Sequence, residues 1–259
     1  MSAVRCEVVD GVATITLDSP ETRNVLNAAS LPPLREHLAD AAADDAVRVV
    51  VLTGEGGTFC AGADLAGASS DAEGFAGSGP QALVGVLEAM LDHPKPIVAR
   101  VQGHVAGGGN GLVAAADLAV AVDTARFAFS EVRVGVAPAV ISVVCLARMS
   151  PSHARELMLT GERVSAQRVL EAGLLTAVAD AEGFDALVRS YVDQLLLGGP
   201  QALARTKELL RRVPTMPRDE AFAWTAEVSA GHFSSDEARE GMTAFFERRR
   251  PSWAPPEQS

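Results

Sequence analysis

The feature that most constrains the fold is a pair of mainly apolar runs of strand length. "VRVVVLTG" occupies residues 47–54, and "KPIVARVQG" occupies residues 95–103. A strand that is apolar on both sides fits a sheet whose two faces are covered. Helical patterns at residues 28–43 and 83–91 supply covering layers. Strands that alternate with helices predict an α/β fold.

Local signals define further elements in the first half of the chain. Two apolar runs flank Asp10-Gly11, a favoured tight-turn pair, and predict a hairpin over residues 6–18. In the helix at 28–43, Pro32 and Pro33 would lie in the first turn, so Ser30 is the predicted N-cap. "LAVAVDTARFAFSE" at residues 118–131 predicts two short strands.

From residue 141 onward the strand signal fades. Helical patterns cover 152–160, 165–172, 183–198, 200–212 and 218–246, and a single predicted strand interrupts them at 174–180. We therefore divide the chain into an α/β core over residues 1–198 and a helical C-terminal region over residues 199–259. The ending "RRRPSWAPPEQS", residues 248–259, predicts a loose tail.

Composition excludes several classes of function. Lys and Arg number 22 against 33 Asp and Glu, a formal net charge of −11, which disfavours nucleic-acid binding. Three cysteines without metal or disulfide spacing indicate a reducing compartment. The five histidines lack metal-ligand spacing, so no metal is expected. Without a signal peptide or an apolar run of membrane-span length, we expect a soluble, cytoplasmic protein with no membrane partner.

Three consecutive glycines, residues 107–109, lie between a strand-like run and an alanine-rich run. They do not form a dinucleotide fingerprint, since Leu112 stands where the last glycine is required. The run serves either close packing of a helix start or the presentation of free N–H groups to an anion. The small-residue stretch at 61–63 follows another predicted strand. Two such turns can form an oxyanion hole.

Five ordered motifs carry a resemblance to a known family. They are "PETRNVLN" at 20–27, "GTFCAGADL" at 57–65, "VQGHVAGGGNGL" at 101–112, "FAFSEVRVGVAPAV" at 127–140 and "LTGERVSAQRVLEAGLLTAV" at 159–178. In order and spacing they resemble the crotonase superfamily, the enoyl-CoA hydratase/isomerase family. "SEVRVGVAPAVIS" at 130–142 is further similar to hydratases of branched, glutaconyl-type CoA esters.

The resemblance implies a crotonase-like spiral of strand–strand–helix units and a helical C-terminal region that builds homotrimers or dimers of trimers. It implies an acyl-CoA thioester as substrate and no separate cofactor, because coenzyme A belongs to the substrate. The implied oxyanion donors are the amides of Ala63 and Gly108. The implied substrate contacts are Arg23, Asn24 and Val25 near the nucleotide, and Ala61, Ala63, Asp64, Leu65, Ala66 and Gly108 along the acyl-CoA.

The carboxylates decide the reaction. Hydratases of this family use two glutamates; the first position is Gly111 here, and the second is Glu131. Glu131 is therefore the expected general acid/base, with its pKa raised beside an acyl pocket, although in isolation it would be a surface residue. Three functions stay open: hydration of a trans-2-enoyl-CoA, which we place first, a shift of the double bond from C3 to C2, and non-catalytic acyl-CoA binding.

Other residues are secondary candidates. Asp117 is expected to be structural, and Cys60 lacks a histidine partner that would make it a nucleophile. The Gly/Ser-rich stretch at 67–80 resembles the family's mobile loop and is a candidate lid. The arginines at 248–250 form either a solvated helix end or a contact with CoA phosphates.

Overall fold

The chain begins with the predicted antiparallel hairpin. A computed structural model describes residues 3–64 and 78–256. Strands β1 (Val4–Val9) and β2 (Val12–Leu17) pair antiparallel around Asp10 and Gly11. Both turn residues have positive φ, 49° and 81°, as a two-residue turn of this twist requires. The hairpin prediction is confirmed.

A six-stranded sheet forms the centre of the core. Its order is β1-β2-β3-β5-β7-β10, and every pairing after the hairpin is parallel. All six residues of β3 are buried, which confirms a sheet covered on both faces. The remaining strands are β3 (Val49–Gly54), β5 (Ile97–Val101), β7 (Leu118–Val122) and β10 (Ala177–Ala179).

A second sheet of short strands runs beside the first. Its order is β4-β6-β8-β9, with β9 antiparallel to β8 and the other pairs parallel. Its strands are β4 (Thr58–Cys60), β6 (His104–Ala106), β8 (Arg126–Ala128) and β9 (Arg163–Ser165). Each of β3, β5 and β7 is followed by one of these short strands, so the chain forms the expected spiral of strand–strand–helix units.

In the described part of the chain, seven helices pack on or beside the two sheets. Ser30 lies at the predicted N-cap position of the first helix, but its side chain does not cap it: Oγ donates to Val25 O and accepts from the N–H of Asn27. The predicted N-cap residue is therefore confirmed, although its side chain makes no capping hydrogen bond. The helices are α1 (Leu31–Ala43), α2 (Gly79–Leu91), α3 (Gly108–Ala115), α4 (Ala139–Cys145), α5 (Pro151–Thr160), α6 (Ala166–Glu171) and α7 (Phe184–Leu197).

The C-terminal region consists of α8 (Pro200–Arg212), α9 (Arg218–Phe233) and α10 (Asp236–Glu247). The helical pattern over 218–246 predicted one helix, but Ser235 starts a new one by accepting a hydrogen bond from the N–H of Ala238. Strands β4, β6 and β9 and helix α4 were not predicted. The division of the chain at residue 198 stays a prediction.

The segment after α10 is docked, which contradicts the predicted loose tail. The indole N–H of Trp253 donates to Leu197 O at 3.0 Å, and Trp253 O accepts from the Arg48 guanidinium at 2.7 Å. These bonds tie residues 251–256 to the core, while 257–259 lie outside the described residues. Within residues 3–64 and 78–256, no helix has the length and apolar character needed to cross a membrane.

Candidate active site

The glycine run forms a turn between β6 and α3. Gly107 is the N-cap residue of α3 with a φ of 48°, a left-handed conformation that favours glycine. Its N–H donates to Ala128 O at 3.1 Å. The N–H of Gly108 is one of the first-turn donors that a helix leaves unpaired. In the described part of the chain it has no acceptor.

A second free N–H comes from the turn after β4. Leu26 and Ala63 form a parallel bridge in which the N–H of Leu26 donates to Gly62 O at 2.7 Å. The N–H of Asp64 donates to Leu26 O at 3.2 Å. Because adjacent residues of an extended chain direct their N–H groups to opposite sides, that of Ala63 is directed away from Leu26. It has no acceptor among residues 3–64 and 78–256.

The two turns are in direct contact. A Cβ atom on Gly62 would lie 2.8 Å from the carbonyl oxygen of Ala106 and 3.2 Å from the amide nitrogen of Gly108. A side chain at Gly62, where φ is 86°, would force the turns apart. The bare backbone therefore brings the segments that carry Ala63 and Gly108 together.

Glu131 lies beside the glycine turn. It belongs to a 3-10 helix, Ser130–Val134, that follows β8. Its Oε1 is 3.5 Å from the position that a Cβ would take on Gly107, and its buried Oε2 has no hydrogen-bond partner among the described residues. Burial raises the pKa of this carboxyl group above its ordinary value, the direction expected of a general acid/base.

These groups open onto one pocket of about 360 Å³. It contains five residues of the predicted site, namely Ala61, Ala63, Asp64, Gly108 and Glu131. Gly107 and Ser130 complete the polar side, and the rest of the lining is Pro80, Leu83, Val134, Val136, Ala137, Pro138, Ala139, Val140 and Ile141. The pocket is thus mainly aliphatic around one cluster of polar groups.

The predicted nucleotide contacts lie next to this pocket and outside its lining. Arg23 is exposed, and its carbonyl accepts from the N–H of Ala61 at 3.0 Å. Asn24 is only 2 % exposed. Its side-chain amide donates to Thr58 O at 2.7 Å and to Glu55 O at 3.0 Å, so it holds the adjoining turn. Val25 is half-buried.

Two of the expected substrate contacts, Leu65 and Ala66, lie outside the described residues. So does most of the predicted lid, since the structure resumes at residue 78.

The space beside Gly111 is filled. A Cβ atom there would lie 2.7 Å from Cγ2 of Ile141 and 3.6 Å from Cδ2 of Leu87. Ile141 is 2 % exposed and belongs to α4, a helix that the sequence analysis missed. An aliphatic side chain therefore packs the position at which the family resemblance implies a glutamate.

Asn110 is a second residue that the sequence analysis missed. Its side chain is fully buried, and its amide nitrogen donates to Ala128 O at 2.9 Å and to Gly107 O at 3.3 Å. These bonds tie the glycine turn to the end of β8, three residues before Glu131. A polar residue inside an otherwise small and apolar helix start was the signal available for it.

The secondary candidates have structural roles. Cys60 is fully buried, and burial raises the pKa of its thiol to about 12, so the thiol stays protonated at neutral pH. Asp117 accepts from the N–H of Ile97 and from the Lys207 ammonium, at 2.7 Å and 2.6 Å, as expected of a structural residue. Arg249 pairs with Glu240 and Glu247.

Comparison with known proteins identifies the family. The family described as Enoyl-CoA hydratase/isomerase matches residues 7–256. The chain belongs to this family. The resemblance to the crotonase superfamily is thereby confirmed. The two amides and the half-buried carboxylate of Glu131 thus lie in a crotonase-type chain whose family acts on acyl-CoA.

Individual relatives of this family are similar over nearly their whole length. A Thermus thermophilus protein with a provisional enoyl-CoA hydratase name is 35 % identical over 93 % of this chain and 96 % of its own. The carnitinyl-CoA dehydratase of Citrobacter koseri is 32 % identical over 93 % of this chain and 94 % of its own. The crystal structure of an enoyl-CoA hydratase from Mycobacterium smegmatis has a TM-score of 0.90 and 33 % identity. The match covers 97 % of this chain and 98 % of that one.

Proposed function

We propose that this protein is an enoyl-CoA hydratase that acts on an acyl-CoA thioester. One observation carries the proposal. The backbone N–H groups of Ala63 and Gly108, which have no acceptor in the described part of the chain, lie in one mainly aliphatic pocket with the half-buried carboxylate of Glu131. A thioester has one carbonyl oxygen to bind and adjacent carbons that exchange protons, and this arrangement matches both needs.

The two amides act as the oxyanion hole. They donate to the thioester oxygen and bind it more strongly as it becomes enolate-like, which lowers the barrier to reaction at the adjacent carbons. Removal of one comparable donor costs about 3–4 kcal/mol in other enzymes. Backbone donors need no side chain, which explains why small residues mark both turns.

Glu131 moves the proton. As a carboxylate it takes a proton from the water that attacks C3, and the resulting carboxyl group returns a proton to C2, so that water adds across the double bond. Its raised pKa suits both steps, because a group that titrates nearer neutrality serves as base and as acid.

The isomerase is the second candidate, and the packing at Gly111 favours it. Ile141 fills the space in which a second carboxylate would have to begin. Transfer of a proton from C2 to C4 of a 3-enoyl-CoA requires a single group, which Glu131 supplies.

The setting of the reaction is also part of the proposal. We expect no cofactor beyond the CoA of the substrate, a homotrimer or dimer of trimers, and a cytoplasmic location. Arg23 is exposed beside the pocket and has no acidic partner in the described part of the chain, so it is a cation available to the CoA phosphates.

One spectroscopic assay tests the proposal. Hydration of a 2-enoyl-CoA removes the absorbance of the conjugated thioester, whereas isomerisation of a 3-enoyl-CoA creates it. We expect loss of absorbance with the wild-type enzyme and a decrease of ~10²–10⁴-fold in kcat for Glu131→Gln. Glu162→Gln, an exposed glutamate outside the pocket, is the matched control and should keep full activity.

The outcomes separate the three functions. A gain of absorbance with the 3-enoyl-CoA alone identifies the isomerase. No change with either substrate at high enzyme concentration rejects both catalytic functions in favour of acyl-CoA binding. Full activity of Glu131→Gln would remove Glu131 from the mechanism.

A further inference from the structure

The N–H of Gly108 belongs to a peptide unit that lies between two glycines. Neither Gly107 nor Gly108 has a Cβ atom, so steric contacts restrict the rotation of this unit only weakly. A trans peptide unit is planar, and its C=O and N–H groups point in opposite directions. A group that fixes the carbonyl of Gly107 therefore also fixes the direction of the Gly108 N–H.

Asn110 supplies two hydrogen bonds to that carbonyl. Its backbone N–H donates to Gly107 O at 2.9 Å, and its side-chain nitrogen Nδ2 donates to the same oxygen at 3.3 Å. Nδ2 also donates to Ala128 O at 2.9 Å. Because both acceptors are carbonyl oxygens, the side chain must face them with its nitrogen. Asn110 is the only residue of the run 107–111 that is not glycine, so no other side chain of the run can hold this turn.

The same side chain links this carbonyl to the segment that carries Glu131. Ala128 is the last residue of β8, and Glu131 follows it by three residues in the 3-10 helix Ser130–Val134. The Asn110 side chain therefore lies between the peptide unit that presents the Gly108 N–H and the strand end that leads to the carboxylate. Rotation of that unit, or a shift of the strand end, would break one of the two side-chain hydrogen bonds.

The fold itself does not depend on these two side-chain hydrogen bonds. Without them, Gly107 O keeps the N–H of Asn110, and Ala128 O keeps the N–H of Gly107 at 3.1 Å. The side chain also lowers stability, because it is fully buried and its Oδ1 has no partner among the described residues. A leucine has a similar shape without that unpaired oxygen. An amide at this position thus serves the site better than it serves stability.

We infer that Asn110 is a positioning residue whose side-chain amide holds the peptide unit between Gly107 and Gly108, so that the Gly108 N–H is directed at the thioester oxygen. The inference rests on the proposed oxyanion hole and names the side chain on which one of its donors depends. A hydrogen bond to the carbonyl of a peptide unit also strengthens its N–H as a donor. Asn110 acts through Gly108, since it does not itself line the pocket.

Substitution by leucine tests the positioning role. Asn110→Leu removes both side-chain hydrogen bonds and keeps the approximate shape of the side chain; Asn110→Ala removes the same bonds and serves if the leucine is not accommodated. We expect kcat to fall by roughly 10–100-fold in whichever reaction the absorbance assay detects, because a misdirected donor fails most when the oxygen is enolate-like. The Kd of the saturated thioester butanoyl-CoA, measured by calorimetry, should change by less than about 3-fold.

Infrared difference spectroscopy gives a readout that a loss of stability alone would not change. Hydrogen bonds to the thioester oxygen lower the stretching frequency of its carbonyl group, which an isotope label at the carbonyl carbon of butanoyl-CoA makes visible. We expect a lower frequency on binding to the wild type and a smaller change with Asn110→Leu. Val113→Ala is the matched control, because Val113 is fully buried on the same helix and lies outside the pocket. It should keep the wild-type frequency and kcat.

The results distinguish the inference from the function on which it rests. A wild-type carbonyl frequency in Asn110→Leu and Asn110→Ala overturns the inference, whatever their kcat, and leaves the acyl-CoA function intact. An equal loss of kcat in Val113→Ala overturns it as well, because the effect would then come from a loosened helix. If butanoyl-CoA does not bind, or if the wild type leaves its carbonyl frequency unchanged, the proposed oxyanion hole fails together with the inference.

Discussion

Glu131 illustrates how a reactive group is kept at a cost to stability. Its carboxylate is partly desolvated, and one oxygen lacks a hydrogen-bond partner in the described structure. The protein thus tolerates an unfavourable charge in order to have a carboxyl group with a raised pKa in its pocket.

The stability of a Glu131→Gln variant should depend on pH. Because the folded-state pKa is raised, the carboxyl group destabilises the fold above that pKa and has no such effect below the ordinary value of about 4.3, where both states are protonated. We expect the variant to have a higher Tm than the wild type at neutral to alkaline pH. The difference should vanish near pH ~4. A difference that does not change with pH would contradict this account.

Gly111 should not accept even a methyl group. In an open helix position, Gly→Ala raises the free energy of unfolding by about 0.5–1 kcal/mol. Gly85 is such a position and is the control, because the atom nearest to a new Cβ there belongs to the flexible Arg35 guanidinium, 3.6 Å away. A new Cβ at Gly111 would lie 2.7 Å from the buried, β-branched Ile141. Gly111→Ala should therefore lower the free energy of unfolding by about 1–3 kcal/mol. Urea unfolding of the Gly85→Ala and Gly111→Ala variants measures both changes in unfolding free energy. Equal changes would refute the packing argument.

At the level of elements, a partly buried ion pair joins helix α8 to the core sheet. The Lys207 ammonium reaches Asp117 Oδ2 at 2.6 Å and Lys95 O at 3.0 Å, and its side chain is 10 % exposed. Asp117 precedes β7 and also accepts from Ile97 at the start of β5. The C-terminal helices are therefore anchored to the same strands that lead to the pocket.

Removal of this anchor should destabilise the whole chain. Lys207→Met keeps the aliphatic packing but leaves Asp117 without its cation, and we expect a loss of about 1.5–3 kcal/mol in the free energy of unfolding. Arg205→Met, on the same helix, breaks an exposed pair with Glu208 and should cost less than about 1 kcal/mol. Chemical denaturation compares them. Similar losses of unfolding free energy in Lys207→Met and Arg205→Met would show that the burial of Lys207 does not strengthen its ion pair.

At the scale of the whole molecule, the C-terminal helices expose large apolar side chains. Phe222, Phe233, Phe245 and Phe246 are between 70 % and 79 % exposed in the single chain, and α9 has no buried residue. Isolated apolar surface residues are ordinary, but a set of phenylalanines on two adjacent helices indicates an interface. This agrees with the expected homotrimer, which remains a prediction.

The assembly can be tested by one substitution. If α10 packs against another copy, Phe245→Asp buries a charge in the interface and should dissociate the trimer to monomers at micromolar concentration. Val8→Asp, at an apolar residue of β1 that is 46 % exposed, is the control and should leave the assembly unchanged. Analytical ultracentrifugation measures the oligomeric state of the Phe245→Asp and Val8→Asp variants. A wild-type monomer would contradict the proposed assembly.

Elements that depend on residues close together in the chain were predicted correctly, whereas elements that depend on distant residues were not. The hairpin, the buried strands and the helix start at the glycine run rest on neighbours in sequence, and the structure has them where they were predicted. The three-residue strands β4, β6 and β9 are too short to carry a periodic pattern, and they exist because each pairs with a distant strand. The same reason explains the docked tail, since Trp253 bonds to Leu197 and Arg48.

From the residues alone, the chain predicts that two turns of small residues follow buried strands. The family resemblance adds the expectation that Glu131 is the acid/base and that Gly111 stands where a second glutamate would be. How these features combine depends on the three-dimensional fold. The fold puts the two turns in contact and packs Ile141 against Gly111, and it leaves one oxygen of Glu131 without a partner among the described residues. The physical reason is that motifs are local, whereas contact, burial and the sign of the charge around a pocket depend on segments far apart in the chain.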